Sequence, residues 1–393
     1  MGKENHCNQN VTKVHKKSVA HRVSTRVISQ KRRNPLEISQ TFPTFTIHIN
    51  EYKCLKFRYM IRFIKGLAYL TLCACLVNCQ QTTKNPQNDM TQHDSTMETP
   101  KKDVATVAID TLVRVGEGPI WDYKYHRLLW IDTQGSLFIY TPNDKKNREI
   151  KLDKQIGTVV PYQEDKVVVA LEDGIYMMDL NSEQLTLLGD PEGRESGNRY
   201  NDGKCDASGR LWVGSMDKDC TPKKAGFFKF DSKGNGERML SDITISNGVA
   251  WSPDGKTLYY QDTPTKKVSA FDFDEEKGTI SNRREIIDLA DSLGTPDGNT
   301  IDEEGMLWVA NWGAACVTRW NPQTGELLQK IDIPALNVTA LAFGGEELDE
   351  LYITTASLWM PEGEEKNYPE AGKTFIVKPG VKGIKCQYWN KGE

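Results

Sequence analysis

The stretch NDGKCDASGRLWVGS, Asn201 to Ser215, joins a turn-rich run to an apolar β-prone run, and the pattern recurs along the chain. Five other runs match its LWVGS (Leu211): LLWID at Leu128, VVVAL at Val167, LYYQD at Leu258, LWVAN at Leu307 and LYITT at Leu351. Successive starts lie 39, 44, 47, 49 and 44 residues apart. Each run has a β-prone successor: LFIY (Leu137), GIYMMD (Gly174), GFFKF (Gly226), VSAF (Val268), VTRW (Val317) and TFIV (Thr374). Before each lies another β-run and a turn such as PDGK or DASG. Several strands per repeat of 40–50 residues is the signature of a β-propeller. A single blade cannot bury both faces, and closure into a ring supplies the core while removing long open edges. The chain is therefore expected to be all-β, a six-bladed β-propeller over 103–393 with a metal site at one end of the central channel. A sandwich would need no sixfold repeat.

Aligning the blades brings out a polar position about ten residues before each LWV-type run. It holds Glu117 (EGPIWD), Asn201 (NDGKCD), Asn247 (NGVAWS) and Asp297 (DGNTID), with Thr158 and Thr339 in the other two copies. Asp122, Asp206 and Asp302 follow five residues after three of these, and Ser252 takes that place in the fourth. Equivalent positions of successive blades lie at similar radius, so Glu117, Asn201, Asn247 and Asp297 should converge at one channel end. Any one Asn-Gly or Asp-Gly alone reads as a hairpin turn, but Glu117 does not. Two carboxylates and two amide oxygens make a hard-oxygen set suited to Ca2+, or to Mg2+ or Mn2+ with more water. NDGKCDASG lacks the spacing and terminal Glu of an EF-hand.

Of six histidines only His126 lies in the repeats, in the turn WDYKYHRLL, which leaves no histidine for a Ser-His-Asp or Cys-His mechanism or a His-rich zinc site. G-x-S-x-G, a P-loop and G-x-G-x-x-G are absent. Chemistry must come from a metal, carboxylates, amides, Arg or Lys. Cys205, Cys220, Cys316 and Cys386 show no CxxC spacing and read as buried free thiols.

The net charge of −4 conceals a split. Residues 1–59 carry twelve Lys and Arg against three acids, a net +9, and the remainder carries −13. An acidic body argues against a nucleic-acid partner. MIRFIKGLAYLTLCACLVNCQQ, Met60 to Gln81, has a basic start and an apolar core from Gly66 to Val77, too short to span a bilayer. It reads as a signal peptide or lipoprotein signal over 60–79, with Cys75 or Cys79 as the lipidated residue. Met60 is then the expected start, and 1–59 an upstream extension or a disordered basic arm. Residues 80–102, rich in Gln, Thr, Asn and Asp, read as a flexible linker. The expected protein is exported to a bacterial periplasm or envelope, meeting the membrane only through an N-terminal lipid anchor.

From about Val113 to Cys386 the chain resembles the gluconolactonase/regucalcin (senescence marker protein) family of six-bladed propellers. EGPIWD (117–122), RYNDGKCDASGRLWVGSM (199–216), ISNGVAWSPDGKTLYYQDT (245–263), PDGNTIDEEGMLWVANW (296–312) and the PEAGKTF/VKG tail (369–383) carry the resemblance. It implies Glu117, Asn247 and Asp297 as ligands of one divalent cation, Ca2+ first, with Zn2+, Mg2+ or Mn2+ as alternatives. It implies Arg199 and Asn201 as residues that bind a small-molecule sugar lactone by donating to its hydroxyls, and Asp297 as general base. An acidic substrate contact would fall near Asp219, in a loop shorter here than in the family. Trp312 reads either as a sugar platform or as core. The implied activity is metal-dependent hydrolysis of sugar lactones to aldonic acids. A related metal-dependent esterase and a non-enzymatic calcium-binding propeller are the alternatives.

Overall fold

The computed structural model describes residues 104–193 and 196–390. The expected upstream arm (1–59), signal (60–79) and linker (80–102) lie outside the described residues. A short strand, β1 (Thr106–Ile109), precedes the first blade. Blade one is β2 (Gly116–Asp122), β3 (Arg127–Asp132), β4 (Ser136–Thr141) and β5 (Lys146–Lys151). Blade two is β6 (Ile156–Gln163), β7 (Lys166–Leu171), β8 (Gly174–Asp179) and β9 (Leu185–Gly189). Blade three is β10 (Asn198–Cys205), β11 (Leu211–Asp217), β12 (Ala225–Phe230) and β13 (Gly236–Ile243). Blade four is β14 (Ser246–Trp251), β15 (Thr257–Asp262), β16 (Lys267–Asp274) and β17 (Thr279–Asp288). Blade five is β18 (Thr295–Ile301), β19 (Leu307–Trp312), β20 (Cys316–Asn321) and β21 (Glu326–Asp332). Blade six takes β22 (Asn337–Gly344), β23 (Glu350–Ala356) and β24 (Thr374–Val377) from the C-terminal side and β1 from the N-terminal side.

Every sheet is antiparallel, with its first strand against the channel, and the six sheets close as the expected propeller. The LWV-type runs are the second strands and their successors the third. Second strands are buried on both faces, as in β7, so they read as continuous apolar runs. Fourth strands meet solvent: in β5, KNREIK, only Ile150 is buried. Of the four cysteines among the described residues, all free thiols, Cys205 and Cys316 are buried as expected and Cys220 and Cys386 are half-buried.

Two devices close the ring, and neither belongs to the repeat. β1 pairs with β24 (Thr106 with Ile376, Val107 with Phe375), burying Ala105 and Ile109. The C-terminal tail then crosses the face opposite the starts of the innermost strands. Its Lys382 carbonyl accepts from Glu303 N–H (2.9 Å), and Gly383 N–H donates to Leu348 O (2.8 Å). Cys386 Sγ–H donates to Trp121 O (3.1 Å), and the Tyr388 hydroxyl to the Asp122 carboxylate. Trp389 N–H donates to Pro161 O (2.9 Å), and Asn390 N–H to Gly209 O (3.0 Å). Nine residues, 382–390, thus tie blades five, six, one, two and three.

The recurrent aspartates sit at that far end and are structural. Asp302, fully buried, accepts from Trp308 Nε1 (2.9 Å), Arg319 Nε (2.7 Å) and the backbone N–H groups of Glu304 and Met306. Asp206 repeats this with Trp212 Nε1 (2.8 Å) and Arg210 Nε (2.7 Å). Removing one partner of a buried ion pair strands the other. Asp302→Ala is expected to lower unfolding free energy by about 3–5 kcal/mol, read in a denaturant melt, with Asp302→Asn less damaging because it still accepts.

Candidate active site

All six innermost strands break register at the aligned polar position. The irregularities fall between Glu117 and Ile120, Ile156 and Thr158, Tyr200 and Gly203, Asn247 and Val249, Pro296 and Asn299, and Val338 and Ala340. A bulge bends its strand and re-aims a side chain that regular pleating would turn elsewhere. Two bulges use a glycine in left-handed conformation directly after the polar residue, Gly118 (φ 54°) and Gly248 (φ 38°). This is the local reason the sequence reads E-G and N-G here.

The structure brings Glu117, Arg199, Asn201, Asn247 and Asp297 into the channel mouth. A directed hydrogen-bond chain orders them. Arg199 Nη1 donates to Asn201 Oδ1 (2.8 Å), Asn201 Nδ2 to Asn247 Oδ1 (2.8 Å), Asn247 Nδ2 to Thr263 Oγ1 (2.8 Å), and Thr263 Oγ1 to Pro296 O (2.9 Å). A guanidinium can only donate and a carbonyl only accept, so the chain runs one way and fixes both amide orientations. Asn247 therefore keeps one lone pair of Oδ1 beyond the one Asn201 uses. The second hydrogen of Asn201 Nδ2 goes to Ser246 O (2.8 Å). That corrects the expected donor role of Asn201: both its hydrogens are held by the protein, and only an acceptor lone pair is left for a ligand.

The carboxylates lie in an environment that resists their charge. Burial, then repulsion from Asp202, pushes the Glu117 carboxyl up to about 8 against the pull of the Gly118 N–H, Arg199 and Lys204. Burial, then Glu117 and Asp202, raises Asp297 well above the usual carboxylate range, with Arg199 opposing. Desolvation with like-charged neighbours has this effect, and an opposite charge placed among them relieves it. Among the described residues no three His, Cys, Asp or Glu side chains gather as a ligand group. A cation here would need the Asn247 amide oxygen beside Glu117 and Asp297, an all-oxygen set of the kind that hard divalent ions take.

Sequence reasoning missed two charged residues below this layer. Asp202 accepts from Gly203 N–H (2.8 Å), and Lys204 Nζ donates to Asn299 O. Burial raises the proton affinity of Asp202 and lowers that of Lys204, and each opposes the other's shift. They line a narrow cavity of about 10 Å³, room for about one water, together with Gly298, Asn299 and Thr158. A signal existed: one and three residues past the polar position, the other five blades carry Gly, Val, Ala, Ile, Thr or Pro, and only blade three is charged.

Around the rim, blades two and three present Glu172, Lys218 and Arg199. Blades five and six present half-buried Trp312 against the half-exposed ring of Trp359, centroids 6.0 Å apart. Trp312 is thus at the rim and not in the core. Asp219 is exposed, its backbone N–H bound to Asp217 Oδ1 (3.1 Å). The threonines at the polar position lace neighbouring blades: Thr158 Oγ1 donates to Gly203 O (3.0 Å) and Thr339 Oγ1 to Gly116 O (2.6 Å).

Residues 115–357 match the family model of the SMP-30/Gluconolactonase/LRE-like region. A Bacillus subtilis protein named "Putative sugar lactone lactonase YvrE" is 36% identical over 275 residues, 70% of this chain and 94% of the relative. Regucalcin of Danio rerio is 36% identical over 274 residues, 69% of this chain and 92% of the relative. Among solved structures, luciferin-regenerating enzyme aligns with TM-score 0.70 and 32% identity over 73% of this chain and 99% of its own. A calcium-binding protein, regucalcin, from Agrobacterium tumefaciens aligns with TM-score 0.70 and 26% identity over 74% and 98%.

Proposed function

We propose, from the premise that the chain belongs to the SMP-30/gluconolactonase/LRE-like family, that it hydrolyses sugar lactones with the help of one divalent cation. The observation that carries this reading is the pair of buried, mutually repelling carboxylates, Glu117 and Asp297, beside the Asn247 amide oxygen and the Arg199 guanidinium. The B. subtilis relative's name supplies the substrate class. Glu117, Asn247 and Asp297 would hold the ion, Ca2+ by their hard-oxygen character and by the calcium-binding relative. Bound there, it supplies Lewis-acid polarisation of the lactone carbonyl.

The chain's own residues do the rest. Asp297 takes a proton from the attacking water as that oxygen bonds to the carbonyl carbon. When the bond from that carbon to the ring oxygen breaks, the same carboxyl returns its proton to the leaving oxygen, and an open-chain aldonic acid results. Nη1 of Arg199 is taken by Tyr200 O and Asn201 Oδ1, and the other N–H groups of the guanidinium can donate to a substrate oxygen. Asn201 Oδ1 accepts from a substrate hydroxyl. The non-enzymatic calcium-binding propeller remains the competing reading.

The test follows acid release from glucono-δ-lactone by the chelator-stripped chain, corrected for spontaneous opening, as Ca2+, Mg2+, Mn2+ and Zn2+ are added in turn. Metal-restored hydrolysis is the expected result. A folded chain that binds metal yet hydrolyses no five- or six-membered sugar lactone would favour the binding module.

The same carboxylates predict a pH effect. With its folded-state value near 8 and an ordinary value of 4.5, Glu117 holds a proton in the metal-free fold that the unfolded chain gives up. That stability is present in full below about 4.5 and lost as pH rises through about 8, on the order of a few kcal/mol. The metal-free chain should therefore melt lower at pH 8 than at pH 5.5, relative to Glu117→Gln. The rise in Tm on adding Ca2+ should be larger at pH 8.

A further inference from the structure

Three segments meet above Arg199. The turn at 172–173 between β7 and β8 arrives from blade two, residue 197 precedes β10, and the loop at 218–224 joins β11 to β12. Arg199 lies opposite Met216 across β10 and β11, so Asp217 closes β11 opposite Asn198 and Lys218 leaves the sheet beside them. Lys218 N–H donates to Gly197 O (3.3 Å), and its Nζ to Glu172 Oε2 (2.6 Å). Glu172 is itself fixed by its N–H to Gln155 O (2.9 Å). Lys218 engages one carboxylate oxygen of Glu172 and leaves the other open at a half-exposed position, 28% by side chain. Glu172 is also among the charges that favour the Arg199 guanidinium. A donor edge with an open carboxylate oxygen near enough to favour its charge matches two adjacent hydroxyls: one accepts from Arg199 and the other donates to Glu172.

Resting on the lactonase reading, we propose that Glu172, positioned by Lys218, is the acidic residue that selects lactones bearing vicinal hydroxyls, in place of a residue at 219. The pair spans two blades at the surface. Exposed pairs of this kind contribute little to stability, so substitution leaves the fold intact.

The experiment compares KM and kcat for glucono-δ-lactone and for δ-valerolactone, which has no ring hydroxyls, in the full chain with its activating cation. Glu172→Gln should raise KM for glucono-δ-lactone about tenfold, the loss expected for one hydrogen bond to a charged group. Its kinetics with δ-valerolactone should stay at the parent level, and Lys218→Met should move in the same direction by less. Equal change for both lactones, no change for either, or a tenfold KM effect from Asp219→Asn instead of Glu172→Gln would overturn the assignment. A parent chain that hydrolyses neither lactone would refute the lactonase reading itself. Calorimetry with D-gluconate and 5-hydroxyvalerate then decides separately. Weaker gluconate binding in Glu172→Gln, with 5-hydroxyvalerate unaffected, supports the role of Glu172, and equal or absent binding of gluconate in the two chains overturns it.

Discussion

Asp297→Asn is expected to leave the chain folded and to cut metal-dependent lactone hydrolysis by a thousandfold or more. Two losses combine. Removing a proton-transfer group costs typically 10²–10⁴-fold, and replacing a charged ligand by an amide weakens the hold on the cation. The control lies in stability. Asp297 is buried against Glu117 and Asp202, and its charged form is disfavoured. A neutral amide of the same shape removes that repulsion, so the metal-free variant should melt no lower than the metal-free parent at pH 8. A merely structural aspartate behaves in the opposite way, as Asp302 should. Activity lost with Tm kept, measured by acid release and calorimetry on the same sample, supports the catalytic role. Activity within tenfold of the parent at saturating metal would place the base elsewhere.

Removing residues 380–393 is expected to lower Tm by about 10–20 °C, with a propeller that still forms its blades. Trp389 is almost fully buried and sits edge-on to Tyr162 at 5.0 Å. Loss of a buried tryptophan alone costs about 3–5 kcal/mol. The tail's backbone bonds to Leu348, Pro161 and Gly209 go with it, as does the Tyr388 partner of buried Asp122. For a body of this size each kcal/mol is worth about 2–4 °C. Trp389→Ala should give roughly half the effect. A truncated chain melting within 3 °C of the parent would show that the tail only lies on the surface.

The repeat was legible because its second strands are buried on both faces and its turns need Gly, Asn and Asp, so burial and turn chemistry both appear in the letters. The polar register was legible for the same reason: bulge glycines keep the spacing to the LWV-type run nearly constant. β1 was not, since TVAI is four residues long and its pairing with β24 joins positions some 270 apart. The tail carries no period, and Cys386 meets Trp121 across 265 residues. Asp202 and Lys204 are hidden by their neighbour Asn201: a regular strand offers one functional residue at this point, whereas the bulge between Tyr200 and Gly203 presents several. Asn201's true hydrogen-bond role depends on Arg199 and Asn247 together, and no single blade's letters contain it.

The polar position also has a sense of rotation. Thr158 bonds blade three, Asn201 bonds blade four, Thr263 at the end of Asn247's chain bonds blade five, and Thr339 bonds blade one. Each link points to the next blade in the same circular direction, and among the described residues the side chains at this position make none from one to two or from five to six. Those are the positions of Glu117 and Asp297, where the Glu117 side chain accepts only from the N–H of its own neighbour Gly118 and neither side chain bonds the next blade. The inner wall is therefore two laced arcs, blades two to five and blades six and one, meeting at two seams, and each seam begins at a carboxylate. Amide exchange in the ion-free chain should be fastest, among the innermost strands, in β2 and β18. Breathing of the channel would then trace to the choice of an acid over an amide or a threonine at two of six places, the same two that are proposed to hold a cation.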